Sequence, residues 1–157
     1  MLKEINGDLL DTDVQYIVHQ TNCVSSKAAG LAYDIFNKFP YSNVYAQREN
    51  QAGELDIPGE IIICGNGNDQ RYIINLMGQF YPGGPGMSNK DDAKTRHKYF
   101  NNGLWRIASI PNLKSVAFPF CIGCGIAGGS WDIYHRMISK FANYISDKAD
   151  VFIITKI

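Results

Sequence analysis

The sequence predicts an α/β sandwich on a mixed or mostly parallel sheet. Short runs of β-branched and aromatic residues alternate with longer runs of helical period. The strand-like runs are apolar almost throughout, as in strands covered on both faces. The chain has 157 residues, 45% of them hydrophobic, which is enough for one core and one expected domain over 1–157. A charged fraction of 19% is too low for a disordered chain.

Residues 2–5 form a short apolar start that ends in the turn Asn6-Gly7. Tyr16, Ile17 and Val18 read as a buried strand. Residues 28–39 follow a helical pattern with Ala29, Ala32, Ile35, Phe36 and Phe39 on one face, and Pro40 stops it. Residues 60–64 and 71–76 are β-rich and flank Gly65-Asn66-Gly67-Asn68, a hairpin signal. Five Pro or Gly residues in 80–90 predict a loop. Asp91 or Asp92 then caps a helix over about 93–109, with Phe100, Leu104 and Ile107 inward. Residues 115–120 form a strand in which Phe118 and Phe120 are expected to face the core, the alternative being that one of them stacks near the site. Ser130 caps a helix over about 131–146, with Ile133, Met137, Ile138 and Phe141 inward. Residues 151–157 close the chain as a buried strand.

Fifteen Lys and Arg balance fifteen Asp and Glu. Zero net charge argues against a protein built to grip a phosphate backbone, so a nucleic-acid partner is not expected. No run of 18 apolar residues occurs and the N-terminus lacks a signal-peptide pattern, so an intracellular, non-membrane protein is expected. It is expected to act as a monomer. Cys121 and Cys124 form a C-x2-C with no second pair at metal-ligand spacing. They read as small packing residues, and no metal or cofactor is expected.

Two loops carry the chemistry. The first, residues 20–30, follows a strand and enters a helix. Its small residues let backbone N–H groups approach an anion at the helix N-terminus. The second, residues 122–130, does the same with four glycines, which allow the positive-φ turns of an anion nest. Neither is a G-x4-G-K-[ST] loop, and the first strand–helix unit has no G-x-G-x-x-G. A diphosphate held between two helix N-termini fits both loops.

The ordered set Gly7-Asp8-Leu9-Leu10, His19-Gln20-Thr21-Asn22, Ala29-Gly30-Leu31-Ala32, Tyr72-Ile73-Ile74-Asn75-Leu76 and Gly123-Cys124-Gly125-Ile126-Ala127-Gly128-Gly129 with Trp131 resembles a macro domain over essentially the whole chain. The resemblance is nearest to the branch of ADP-ribose 1''-phosphate phosphatases and terminal ADP-ribose protein glycohydrolases. It implies a three-layer α/β/α sandwich that binds ADP-ribose. Asp8, with Leu9 beside it, matches the adenine-contacting aspartate, and Asn22 the contact to the distal ribose. Ala29, Gly30 and Leu31 match the first phosphate loop. Gly123, Cys124, Gly125, Ile126, Ala127 and Gly128 match the second.

The resemblance also bears on catalysis. Lys94 matches the nucleophilic lysine of the glycohydrolases. Their loop aspartate is replaced by Ala127, so its acid–base role has no occupant there. That departure points first to an ADP-ribose 1''-phosphate phosphatase using His19, Ser26 and Lys27, with Ser25 nearby. The alternatives are a glycohydrolase that removes ADP-ribose from proteins through Lys94, and a non-catalytic reader of ADP-ribose. The loop at 80–90 can close over the ribose end.

Overall fold

The computed structural model describes residues 2–48, 56–86 and 90–157. Its strands are β1 (Leu2–Asn6), β2 (Tyr16–Asn22), β3 (Ile61–Cys64), β4 (Tyr72–Gln79), β5 (Ser115–Pro119) and β6 (Asp150–Thr155). Its helices are α1 (Gly30–Lys38), α2 (Val44–Arg48), α3 (Ala93–Ala108) and α4 (Trp131–Tyr144). The strands make one sheet in the order β1-β6-β5-β2-β4-β3. Every pairing is parallel except β3–β4, the expected hairpin.

Side chains alternate across the strands, so each strand feeds two cores. Val18, Ile74 and Val116 pack under α3 and α4 with Phe100, Leu104, Ile138 and Phe141. Ile17, Ile73 and Ala117 pack under α1 and α2 with Ile35, Phe36, Val44 and Tyr45. The sheet thus lies between two helical layers, as the family resemblance implies. Covering on both faces explains the unbroken apolar runs. The carboxyl ends of the five parallel strands share one sheet edge. Asp8, Asn22, Phe80 and Phe120 all emerge there.

Several local readings change. α2 is five residues long, too short to leave a periodic signal. α1 begins at Gly30, two residues later than its pattern suggested, and α4 ends at Tyr144. Asp92 caps α3, its side chain accepting from the Thr95 N–H, while Asp91 turns inward. Ser130 stands at the α4 N-cap without a side-chain cap bond. Within α4, Tyr134 is buried, whereas Ile133 and Met137 are half-buried. Phe120 does not join Phe118 in the core. It is 47% exposed, because the chain leaves β5 at Pro119.

Candidate functional site

A cleft of about 390 Å³ opens at the carboxyl ends of β2 and β5. Parallel α/β sheets leave this edge to loops, and ligands bind there. One wall is the first loop with the start of α1, including Asn22, Ser25, Lys27, Ala29, Gly30 and Leu31. The other is the second loop, from Pro119 to Ala127. Pro82 and Gly83 close the end, and His19 and Gln20 line the cleft from β2.

The first loop is held from below. Asn22 Oδ1 accepts from the N–H groups of Val24 and Ser25, at 3.0 and 2.8 Å. Tyr45 Oη accepts from the Asn22 N–H at 2.9 Å. Arg48 donates to the carbonyls of Asn22 and Ser25, at 2.7 and 2.8 Å, and pairs with Asp56. The short helix α2 therefore braces the loop. Ala29, the N-cap of α1, makes no side-chain cap bond, so the first N–H groups of α1 stay open toward the cleft.

The second loop folds on itself through Cys124 N–H to Cys121 O, Gly128 N–H to Gly125 O and Gly129 N–H to Gly123 O, at 2.9–3.0 Å. Gly30 takes φ +61°, and a Cβ there would sit 3.3 Å from Ile126 Cδ1. The two loops meet at that point. An anion in the cleft faces open amides from one helix N-terminus and one glycine turn, with Lys27 as the charged side chain among the described lining residues.

His19 is 1% exposed. Its Nε2 lies 2.7 Å from Asn75 Oδ1. Asn75 Nδ2 donates to Ile62 O, so Oδ1 is the acceptor and Nε2 carries the proton. Nδ1 is left as a buried acceptor without a partner. Burial lowers the His19 pKa to about 4, although the bond to Asn75 opposes this. Next to it, Gln20 donates to Gln79 Oε1 at 2.7 Å, while Gln20 Oε1 is also buried and unpartnered. Both orphaned acceptors are enclosed and lie on opposite faces of β2, His19 against Phe36 and Gln20 Oε1 beside Gly78.

Asp91 and Arg96, each 2% exposed, form a buried pair at 2.6 Å. Asp91 also accepts from the N–H groups of Phe80 and Tyr81. Arg96 donates to the carbonyls of Tyr81, Gly83, Gly84 and Ala127. This pair locks the described part of the 80–90 loop against the second loop. Residues 87–89 of that loop lie outside the described residues.

The other expected site residues are dispersed. Asp8 caps a 3-10 turn, its Oδ1 accepting from the Leu10 N–H at 3.0 Å, and is not among the cleft-lining residues. The Leu9 side chain is in the core. Ser26 is exposed beside the cleft, and Ser25 lines it instead. Cys124 Sγ donates to Ile122 O, and burial pushes its thiol up to about 11. Gly128 faces a second cavity. Lys94 is exposed on the first turn of α3, outside the lining of the cleft. Sequence reasoning did not single out Tyr45, Arg48, Gln79, Asp91 or Arg96 for the site. Phe120, read as core, lines the cleft.

The geometry defines an anion-receptive cleft on the carboxyl edge of a parallel sheet. The chain belongs to the macro domain family, whose profile matches residues 18–138. It is 27% identical over 142 residues to DNA ADP-ribosyl glycohydrolases of Mycobacterium bovis and Mycobacterium tuberculosis. The match covers 87% of this chain and 37% of each relative, so the chain spans little more than a third of their length. The macrodomain of Mycobacterium tuberculosis DarG superposes with a TM-score of 0.78 at 23% identity, covering 98% of this chain and 97% of that one. The macrodomain of Thermus aquaticus DarG gives 0.72 at 20% identity, with the same coverage. A variant of the Oceanobacillus iheyensis macrodomain, solved with ADPR, gives 0.68 at 20% identity over 98% of this chain and 84% of that one. Likeness at this level carries the fold.

Proposed function

We propose that the cleft binds ADP-ribose and that the domain hydrolyses the bond between the distal ribose and its carrier. The observation that carries this reading is the pair of loops that meet at Gly30 and Ile126, both open to an anion. The diphosphate lies between them. The distal ribose lies toward His19 and Gln20, which line the cleft from β2. Water adds its oxygen to the anomeric carbon, the bond to the carrier breaks with its electron pair, and the carrier takes up a proton. His19 is neutral near pH 7, with Nε2 bonded to Asn75 and Nδ1 enclosed, so it does not act as a general acid.

The DNA ADP-ribosyl glycohydrolase relatives make ADP-ribose on DNA the leading substrate class. Zero net charge does not oppose this, because one modified nucleotide needs only local contacts. A second reading, ADP-ribose 1''-phosphate phosphatase, is favoured by Lys27 at the cleft and the small Ala127. The test is incubation with an ADP-ribosylated DNA oligonucleotide, an ADP-ribosylated protein and ADP-ribose 1''-phosphate, each followed for release. Release of ADP-ribose from the oligonucleotide is expected. Release of phosphate alone supports the second reading. Binding of ADP-ribose without release leaves a reader.

A further inference from the structure

The C-x2-C of the second loop has no part in the chemistry above. Cys121 and Cys124 stand at the two ends of one turn, with the Cys124 N–H donating to Cys121 O at 2.9 Å. The Cα atoms at the ends of such a turn lie under about 7 Å apart. Disulfides span roughly 4.4–6.8 Å between Cα atoms, so the turn holds this pair at bridging range. Gly123 takes φ +78° in the third place of the turn, where a side chain would be strained. It packs against the Tyr134 ring, which anchors the turn on the core side.

Cys121 itself sits in a strained backbone. It is the third residue of the preceding turn, in which the Ile122 N–H donates to Pro119 O at 3.1 Å, and it takes φ +61°. Among the described residues, the other non-glycine position at positive φ is Asn112, a residue type that tolerates this region. Glycine would be unstrained at 121. A strained cysteine on the wall of a cleft points to a use for its thiol.

The two thiols are unequal. Cys121 is half-buried and lines the cleft. Cys124 packs against the core under α3 and α4, and its Sγ donates to Ile122 O. Burial, and then the nearby Cys121 charge, push the Cys124 thiol up to about 11. Cys121 is therefore the thiol that meets an oxidant in the cleft, and Cys124 the one that resolves it. The other cysteines stand apart. Cys23 is fully buried and donates to Gln79 O, and Cys64 lies on the edge strand β3 beside Asn75.

We infer that Cys121 and Cys124 are a reversible oxidation site, at which a hydroperoxide drives a disulfide that weakens the ligand grip of the cleft. The Cys121 sulfur attacks one peroxide oxygen and the O–O bond breaks. The other oxygen leaves with the electron pair, takes the thiol proton and departs as water or an alcohol. Cys124 then attacks the sulfenic sulfur of Cys121. The S–S bond forms, the S–O bond breaks, and water leaves with the Cys124 proton. Two thiols are oxidised and one hydroperoxide is reduced, with two electrons exchanged. The bond draws Cys124 away from Ile122 O and the core. Gly125 and Ile126 follow directly and line the cleft, so this wall shifts with the bond. The effect on ADP-ribose rests on the reading above, whereas the bond itself does not.

The test treats wild type and Cys121→Ser with hydrogen peroxide, with and without dithiothreitol afterwards. Peptide mass spectrometry reads the linkage, and calorimetric titration reads ADP-ribose affinity. Peroxide-treated wild type is expected to carry the 121–124 bond, lighter by two hydrogens, and to lose affinity by about fivefold or more, the size of one lost hydrogen bond. Dithiothreitol is expected to restore it. Cys121→Ser is compared with its own untreated sample and is expected to be indifferent to peroxide. Absence of the 121–124 bond, a bond to another cysteine in its place, a bond without loss of affinity, or an equal peroxide loss in Cys121→Ser overturns the inference alone. An untreated wild type that fails to bind ADP-ribose overturns the underlying reading and the control of the cleft with it, while the mass spectrum still decides the bond.

Discussion

His19 donates from Nε2 to Asn75 Oδ1 across neighbouring strands β2 and β4, at 2.7 Å. The two residues are register partners, and both are buried. The bond fixes the tautomer and leaves Nδ1 bare. The burial of His19 also creates a pH dependence. Burial lowers the His19 pKa to about 4, against about 6.5 unfolded. The unfolded chain therefore binds more protons between those values. The stabilisation is present above pH 6.5 and is lost as pH falls toward 4, by about 3 kcal/mol. Denaturant unfolding at pH 7 and pH 4.5 is expected to show a larger loss in wild type than in His19→Gln. Equal losses contradict it.

Arg96 and Asp91 form the second relationship to test. Arg96→Met leaves a buried carboxylate facing only the N–H groups of Phe80 and Tyr81. Removing one partner of a buried pair costs about 3–5 kcal/mol of stability. The loops that Arg96 ties together border the cleft, so ADP-ribose affinity is expected to fall as well. Asp91→Asn keeps an acceptor for both amides and is expected to cost less. If Arg96→Met unfolds at the wild-type denaturant midpoint, the clamp carries no stability.

How much was legible follows from which residues act locally. Strands and helices came through because a sheet covered on both faces writes continuous apolar runs, as in Tyr16–Val18 and Val151–Ile154. The glycine loops came through because backbone approach demands small residues. The support was not legible. Tyr45 and Arg48 lie on a five-residue helix without a period. Asp91 reads only as a candidate helix cap and Arg96 carries no signal of its own, and only their pairing and tertiary contact with the carbonyls of Gly83 and Ala127 show them buried. Phe120 read as core because the sequence does not mark where β5 ends.

Ile126 tests the cleft itself. It is 67% exposed, yet it lines the cleft and touches the first loop near Gly30. Ile126→Ala removes little buried area and is expected to leave stability within about 0.5 kcal/mol. It opens the cleft between the loops, so ADP-ribose affinity is expected to drop by about 1 kcal/mol, roughly one CH2 or two of lost burial. Calorimetric titration reads both affinity and integrity on one sample. Unchanged affinity moves the diphosphate away from this point.

Asp8 tests the adenosine end. Its Oδ1 caps the turn at Leu10. Asp8→Ala is expected to weaken ADP-ribose binding by about 1–3 kcal/mol, the worth of a hydrogen bond to a charged group. Ribose 5-phosphate, which lacks the adenine, should bind wild type and variant alike. Equal losses for both ligands point to the lost cap, and no loss for either removes Asp8 from the site.

Lys94 is the last test, and it separates two chemistries. As a nucleophile it must reach the anomeric carbon with a neutral amine, which requires a desolvated site. Lys94 is exposed on the first turn of α3, while the residues lining the cleft come from β2, the two loops, the start of α1, Tyr45, Gln79 and the 82–83 turn. Asp92, the α3 N-cap, lies close enough for the Lys94 and Lys98 charges to help hold its carboxyl below the usual range, after the Thr95 hydrogen bonds. Lys94 therefore stands in solvent beside Asp92 and not in an enclosed site. Lys94→Ala is therefore expected to keep ADP-ribose release within about threefold of wild type and to leave no borohydride-trappable adduct to lose. A hundredfold fall, about 2.7 kcal/mol of transition-state stabilisation, would return the covalent route to Lys94 and require the first turn of α3 to swing over the cleft.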